Sequence, residues 1–231
     1  MKKVVVFTGA GMSQESGINT FRDSDGLWEG HDVMQVASIE GWHKNKEIVL
    51  DFYNTRRSQL KSVYPNNGHL ALKKLEEKYK VTIVTQNVDD LHERAGSKDI
   101  IHLHGSLIKA KGETNKSQEI HWTDDIKIGD RDDHGAQMRP AIVWFGEAVP
   151  MMEEAAYTSE EADIFIIVGT SLQVYPAASL INYAPNRAKI YYIDQDPKVS
   201  HELAVRNEAV IIKGTANIDL PILVEKLLVE A

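Results

Sequence analysis

The 231-residue chain contains no cysteine. Without a thiol there is no disulfide, no cysteine nucleophile and no thiolate zinc site. A thiol-free chain fits a reducing compartment, and a cytoplasmic protein is expected. Long apolar runs are also missing. No uninterrupted stretch approaches the roughly 18 residues that would read as a membrane span, so no membrane partner is expected. The opening Met1-Lys2-Lys3-Val4-Val5-Val6-Phe7 stops at Thr8-Gly9. That is shorter than the apolar core of about 7–15 residues in a secretory leader, and it reads better as a buried first strand. Positive charge is in short supply, with 26 Lys and Arg against 34 Asp and Glu. A net charge of −8 argues against a nucleic-acid partner, whose binders carry a basic face.

Apolar residues make up 42% of the chain, enough to build a core rather than a disordered coil. Short Val- and Ile-rich runs recur at Val4–Phe7, Val81–Thr85, Ile100–Leu103, Ala141–Trp144, Ile164–Val168, Ile190–Ile193 and Val210–Ile212. They do not alternate with polar residues, which suits strands of a parallel sheet covered on both faces. Helical spacing lies between them, as at Leu70, Leu72, Leu75 and Tyr79, and again at Leu220, Leu223, Val224, Leu227 and Leu228. The alternation predicts an α/β fold, a Rossmann-like doubly wound parallel sheet. Two stretches break the rhythm. Gly30–Ser62 reads as helical with no strand of its own, and Ser106–Arg139 is polar and weakly patterned. Both read as excursions forming a smaller lobe. The other reading of the second is a long loop. The expected division is one domain over 1–231, with a large lobe of about 1–29, 63–105 and 140–231 and a small lobe of about 30–62 and 106–139.

The first strand runs into Thr8-Gly9-Ala10-Gly11-Met12-Ser13. Glycines at such a turn let backbone approach a phosphate. Gln14 stands where a Gly-x-Gly-x-x-Gly fingerprint needs glycine, and no Gly-Lys-Ser/Thr follows. A phosphate cradle and an ordinary tight turn are both open on this motif. Asn87 and Asp89 follow the strand Val81–Thr85 at the sheet edge where ligands bind, and such residues also cap helices. Of 9 histidines, His102 and His104 lie on one strand face, and His104 stands directly before Gly105. Tyr53 and Arg56, three residues apart, share a helix face. A phenol beside a guanidinium suits a carboxylate. The alternative is a solvated arginine with Tyr53 packed inside.

Gly9–Trp28, with Ser16-Gly17-Ile18-Asn19-Thr20-Phe21-Arg22, resembles the nucleotide-binding segment of the sirtuins, the NAD-dependent protein-lysine deacylases. Further blocks match in order: Thr85-Gln86-Asn87-Val88-Asp89 with Leu91-His92, His102-Leu103-His104-Gly105, Val143-Trp144-Phe145-Gly146-Glu147, and Gly169-Thr170-Ser171-Leu172-Gln173-Val174. The resemblance covers nearly the whole chain. It implies NAD as co-substrate, held by Gly9, Ala10, Gly11, Ser13, Thr20, Phe21, Arg22, Trp28, Gln86, Asn87, Val88, Asp89, Gly169, Thr170 and Ser171. Asp194, Gln195, Asp196 and Ala216 would lie on the adenosine. Asn is usual where Asp194 stands.

The same resemblance makes His104 the general base, with Asn87 and Asp89 positioning the ribose and carboxamide. Val143, Phe145, Gly146, Glu147, Leu172 and Val174 become the edges that clamp a substrate peptide by strand addition. Tyr53-x-x-Arg56, with the small Ala37, resembles the signature of class III sirtuins, which remove succinyl and malonyl groups. The implied partner is an acylated lysine on a protein, the products are nicotinamide and O-acyl-ADP-ribose, and the chain is expected to be a monomer. NAD hydrolysis, ADP-ribosyl transfer and a non-catalytic NAD-dependent binding module are the rival readings. Most sirtuins carry two cysteine pairs holding zinc between the His-Gly and Phe-Gly-Glu blocks. Here no metal is expected, and packing around Ile108, Ile120, Trp122, Ile126 and Ile128 would hold that segment.

Overall fold

The computed structural model describes residues 1–19, 27–28, 30–114, 116–199, 201–204, 206 and 209–231. In chain order the strands are β1 (Lys3–Thr8), β2 (Leu27–Trp28), β3 (His31–Asp32), β4 (Lys80–Thr85), β5 (Ile100–His102), β6 (Gly105–Gly112), β7 (Ile120–His121), β8 (Met138–Ile142), β9 (Ile164–Val168), β10 (Lys189–Asp194) and β11 (Val210–Lys213). The α-helices are α1 (Val33–Val36), α2 (Ile39–Lys44), α3 (Lys46–Leu60), α4 (Asn67–Leu75), α5 (Leu91–Arg94), α6 (Met152–Glu160), α7 (His201–Ala204) and α8 (Ala216–Glu230).

The expected doubly wound sheet is present. Six parallel strands run in the order β11-β10-β9-β1-β4-β5, with Val4 opposite Val81 on one side and Ile164 on the other. Side chains alternate across a pleat. Val4 and Val6 therefore join Leu72 and Leu75 of α4 and Leu220, Leu223 and Val224 of α8 in one core. Val5 and Phe7 join Phe165, Ile167, Leu180 and Ala155 of α6 on the opposite face. Both faces are buried, which is why the central strands read as continuous apolar runs. The outermost strand β11 is largely exposed.

A third core is built by α1 to α3 with β6 and β8, around Trp42, Val49, Phe52, Tyr53, Leu107 and Ile142. Here the sequence reading is corrected in three places. Of the strand expected at Ala141–Trp144 only Ala141 and Ile142 are in one, at the end of β8, which starts earlier at Met138 and pairs antiparallel with β6 in a three-stranded sheet with β7 and not in the parallel sheet. Its residues are just as buried, and burial is all that the apolar pattern reports. His31–Asp32 forms a short antiparallel pair with Leu27–Trp28, so the helical stretch has a strand after all. Ile120 and Ile128, expected in the packing, are 47% and 52% exposed.

Side-chain hydrogen bonds hold that segment instead. Asn54 of α3 donates to the Ile126 carbonyl and accepts from its N–H, both at 2.9 Å. The buried Arg57 reaches the Leu107 carbonyl at 2.8 Å. Asp132 accepts from Ser117 and from the backbone of His134 and Ala136, and Gln137 donates to the carbonyls of Lys127 and Met138.

Candidate active site

The chain lays β4 and β5 on one side of β1 and then returns to lay β9, β10 and β11 on the other. The turns after β1 and β9 thus part company at a topological switch point, where α/β sheets open a crevice. The two turns touch backbone to backbone. Gly9 N–H donates to the Val168 carbonyl at 3.0 Å, and Gly11 N–H to that of Gly169 at 2.8 Å. A Cβ on Gly11 would sit 2.7 Å from the Gly169 Cα, and Gly169 has φ +63°. The loop crossing itself therefore demands these glycines. Gly9, Ala10, Ser13, Gly169, Thr170 and Ser171 border a cleft of about 280 Å³, while Gly11 lies behind it.

Thr85 ends β4 by taking hydrogen bonds from the Thr8 hydroxyl at 2.8 Å and the Asn87 N–H at 3.0 Å. This turns the chain so that Gln86, Asn87, Val88 and Asp89 face the cleft. The Asn87 amide donates to the Ser13 hydroxyl at 3.1 Å. The Gln86 amide donates to the Thr170 hydroxyl at 2.9 Å, bridging the two sides of the switch point. Asp89 is buried, and burial pushes its carboxyl up despite hydrogen bonds from the Leu91 N–H and the Ser13 hydroxyl. The helix-cap alternative is not what the fold shows: Asp90 is the N-cap of α5 and makes no side-chain cap bond, while Asp89 Oδ1 accepts from Leu91 N–H at 3.2 Å and closes the turn before the helix.

The two histidines separate cleanly, His102 ending β5 and His104 standing in the turn before β6. His104 lines the cleft and its Nδ1 lies 3.1 Å from the Gln86 carbonyl. A carbonyl only accepts, so Nδ1 carries the hydrogen and the neutral ring keeps its lone pair on Nε2. Burial lowers its pKa, only partly offset by that carbonyl, which keeps the ring neutral near pH 7. His102 has Nδ1 on the Asn87 carbonyl at 3.2 Å and Nε2 on Glu93 Oε1 at 2.6 Å. Burial works to lower its pKa, but Glu93 outweighs it and the net shift is upward. His102 is an ion-paired donor bracing the Asn87 turn, with no lone pair to offer.

The far end of the cleft is walled by α3. Tyr53, Arg56, Gln59 and Leu60 recur on one face and all border it, opposite Val33 and Ala37. Arg56 is 5% exposed, with its guanidinium carbon 4.4 Å from the Trp28 ring and 5.7 Å from that of Phe52. It is no solvated surface arginine. Trp28, expected on the nucleotide, packs here against Arg56 and Phe52.

Val143, Phe145, Gly146, Glu147 and Val174 border the cleft, but Leu172 does not. Leu172 has φ +58° and is buried in the core beneath. The Phe145 backbone is already engaged, its N–H on the Ala37 carbonyl and its carbonyl on the Ile39 N–H. Asp194, Gln195, Asp196 and Ala216 sit at the same end of the sheet, outside the cleft. Asp194 is buried and closes its own turn by accepting from Asp196 N–H at 2.9 Å. Thr20, Phe21 and Arg22 lie outside the described residues. The cleft also takes in Ile18, Asn19 and Trp144, quoted from sequence only as members of matching blocks, and Gln59, Leu107, Val149, Tyr175 and Pro176, which the sequence reading did not assign to the site. Gln59 and Leu60 continue the helix face begun by Tyr53 and Arg56. The contribution of β6 had no local signal.

A cleft at the switch point of a parallel sheet, polar and histidine-bearing at one end and apolar with a buried arginine at the other, places this chain among the doubly wound α/β proteins that open their site at that point. The chain belongs to the Sir2 family, whose sequence profile matches residues 9–176. It is 57% identical over 201 residues to an NAD-dependent protein deacylase of Helicobacter pylori (strain ATCC 700392 / 26695), covering 87% of this chain and 88% of that one. Among solved structures, a Sir2 homolog–NAD complex matches with a TM-score of 0.86 at 35% identity, covering 99% of this chain and 90% of the other. A Sir2–p53 peptide–NAD complex matches with a TM-score of 0.78 at 28% identity, covering 98% and 93%.

The 106–139 segment does not fit a structural zinc. The sequence offers no thiol, Asp132 is committed to three internal donors, and among the described residues no group of three or more His, Asp or Glu could hold a metal ion. No helix among the described residues is long and apolar enough to cross a membrane.

Proposed function

We propose that this chain is an NAD-dependent protein-lysine deacylase that removes acetyl groups and also acidic acyl groups, succinyl and malonyl, releasing nicotinamide and O-acyl-ADP-ribose. The observation that carries the reading is His104, whose Nδ1 is tied to the Gln86 carbonyl while its ring faces a cleft shared with Asn87 and Asp89.

The residues fit NAD. The Gly9–Ser13 and Gly169–Ser171 turns form a close-backed cradle, and Ser13, Gln86, Asn87 and Asp89 present amide, hydroxyl and carboxyl groups suited to a nicotinamide ribose and carboxamide. NAD supplies a ribose carbon from which nicotinamide can leave as the acyl oxygen approaches. Asn87 and Asp89 orient the ribose and carboxamide, and their fixed partners make that orientation pre-organised. The apolar wall of Ile18, Leu107, Ile142 and Val143 excludes water from the reacting centre. His104 Nε2 takes a proton from a ribose hydroxyl. The substrate backbone pairs with the edges at Gly146 and at Gln173–Val174, and the acyl chain runs towards Ala37, Tyr53 and Arg56.

The acidic-acyl reading is supported by the place of Arg56, a buried cation beside a phenol at the apolar end of the cleft. The chain would act as one catalytic domain, the parallel sheet and its helices forming the large lobe and 30–62 with 106–139 the small one. It would work as a monomer in the cytoplasm, without nucleic acid. Mass spectrometry of matched acetyl-lysine and succinyl-lysine peptides, with and without NAD, tests the function. NAD-dependent loss of either acyl mass with O-acyl-ADP-ribose appearing is expected. NAD consumption with both peptides unchanged would point to hydrolysis or ADP-ribosyl transfer instead.

A further inference from the structure

Trp144 lines the cleft between the peptide edge and the acyl end, yet no step above uses it. Its indole Nε1 lies 3.0 Å from the Tyr53 hydroxyl oxygen. An indole N–H only donates, so the contact occupies a lone pair of that oxygen. The hydroxyl hydrogen must then point elsewhere, and no acceptor for it exists among the described residues. Burial pushes the Tyr53 phenol up, partly countered by the Trp144 bond and the nearby Arg56 charge, so the phenol keeps its hydrogen throughout the working pH range.

The indole is flanked by two groups. The Arg139 guanidinium carbon stands 3.4 Å from its ring centre, and the Trp42 ring lies 5.4 Å away. Arg139 forms a two-pronged pair with Glu147, at 2.7 Å to Oε1 and 2.9 Å to Oε2. Glu147 Oε2 also accepts from the Trp144 N–H at 2.9 Å. Both oxygens of Glu147, expected to touch substrate, are thus spent on fixing Trp144.

We propose that Trp144, held by Arg139 and Glu147, is a positioning residue for acyl selection: by filling the acceptor side of the Tyr53 hydroxyl it makes that hydroxyl a donor towards an acyl carboxylate. This rests on the acidic-acyl reading above. A phenol free to turn could present its lone pairs to an anion and repel it. One locked as a donor adds its bond to that of Arg56, and the carboxylate meets donors only. An acetyl group has no charge to gain from this arrangement.

The test is Trp144→Phe, which keeps a ring for Arg139 and deletes the N–H, compared with Tyr53→Phe, Arg56→Met and the double variant Trp144→Phe/Tyr53→Phe. The readout is the ratio of kcat/KM for succinyl-lysine over acetyl-lysine on one peptide sequence, with kcat and KM resolved. The ratio should fall roughly tenfold in Trp144→Phe, carried by KM for the succinyl peptide. It should fall by a similar factor in Tyr53→Phe, and the double variant should fall no further than Tyr53→Phe alone. If Arg56→Met lowers the ratio but Trp144→Phe does not, the Trp144 role is overturned while the acidic-acyl reading stands. An added loss from Trp144→Phe on the Tyr53→Phe background would assign Trp144 to packing and overturn the role as well. A ratio untouched by Arg56→Met overturns both. Should Trp144→Phe fail to fold, an unchanged ratio in Tyr53→Phe still refutes the proposal.

Discussion

Lowering the pH from 8 to 5 should destabilise this protein through a histidine pair beneath the active site. His69 of α4 is fully buried and His92 of α5 nearly so, with ring centres 4.8 Å apart. His92 Nε2 lies 3.1 Å from the Thr8 hydroxyl, which gives its own hydrogen to Thr85, so Nε2 is the donor and Nδ1 keeps a lone pair. His69 Nδ1 accepts from the Asn66 N–H, so its hydrogen sits on Nε2. Both rings are therefore neutral in the fold. Burial pushes His69 from 6.5 down to about 4. Burial, with the neighbouring His69 and His102, pushes His92 well below its usual range. Between pH 6.5 and 4 the unfolded chain binds a proton at each site that the folded chain refuses, so stability falls as pH falls. For His69 alone, the shift from 6.5 to about 4 gives a loss of about 2 kcal/mol at pH 5. That is a large share of the roughly 5–15 kcal/mol of a typical domain. Urea unfolding at pH 8 and pH 5 measures it. His69→Gln should be less stable at pH 8, yet its drop between the two pH values should be about 2 kcal/mol smaller than that of the wild type. An equal drop in both proteins would refute the reasoning.

Arg56→Met should lower the succinyl-to-acetyl kcat/KM ratio on the order of a hundredfold. Removing one partner of a buried charge pair costs about 2–5 kcal/mol, and matched-peptide kinetics would read it. His104→Tyr should reduce kcat by about 10²–10⁴, the usual worth of a general base, while calorimetry still detects NAD binding. In the wild type, the acid limb of kcat/KM should fall below pH 6.5, because burial holds His104 below the ordinary imidazole range. Asn54→Leu should lower stability by about 1–3 kcal/mol, since it leaves the Ile126 N–H and carbonyl without their partners. A strong zinc chelator should leave the melting temperature of the wild type unchanged, and a fall of several degrees would contradict a metal-free segment.

The parallel sheet was legible because Val4–Phe7 and Ile164–Val168 are buried on both faces, and double burial leaves an unbroken apolar run. Ala141–Trp144 misled for the same reason. β8 is as buried as a central strand, but its partner β6 lies in another sheet, and pairing leaves no local mark. His102 and His104 could not be separated by spacing, since their difference lies in Glu93 and in the Gln86 carbonyl. The Tyr53–Arg56 spacing was legible as a helix face, whereas the burial of Arg56 depends on Trp28 and Phe52 folding over it. The hydrogen bonds of Asn54, Asp132 and Gln137 run mostly to backbone groups, which no residue pattern advertises.

The backbone of Phe145 is stitched to Ala37 and Ile39, and Gly146 leaves its Cβ position only 3.1 Å from Ile39. If the proposed acyl pocket at Ala37 is right, its wall is tied by these bonds to the edge that would grip a peptide. A substrate whose backbone drew Phe145 aside would then also shift Ala37, and an acyl group pressing on Ala37 would displace the peptide edge. Acyl preference measured on a free acyl-lysine would consequently differ from that measured within a peptide, and the contributions of chain and acyl group to recognition would not add.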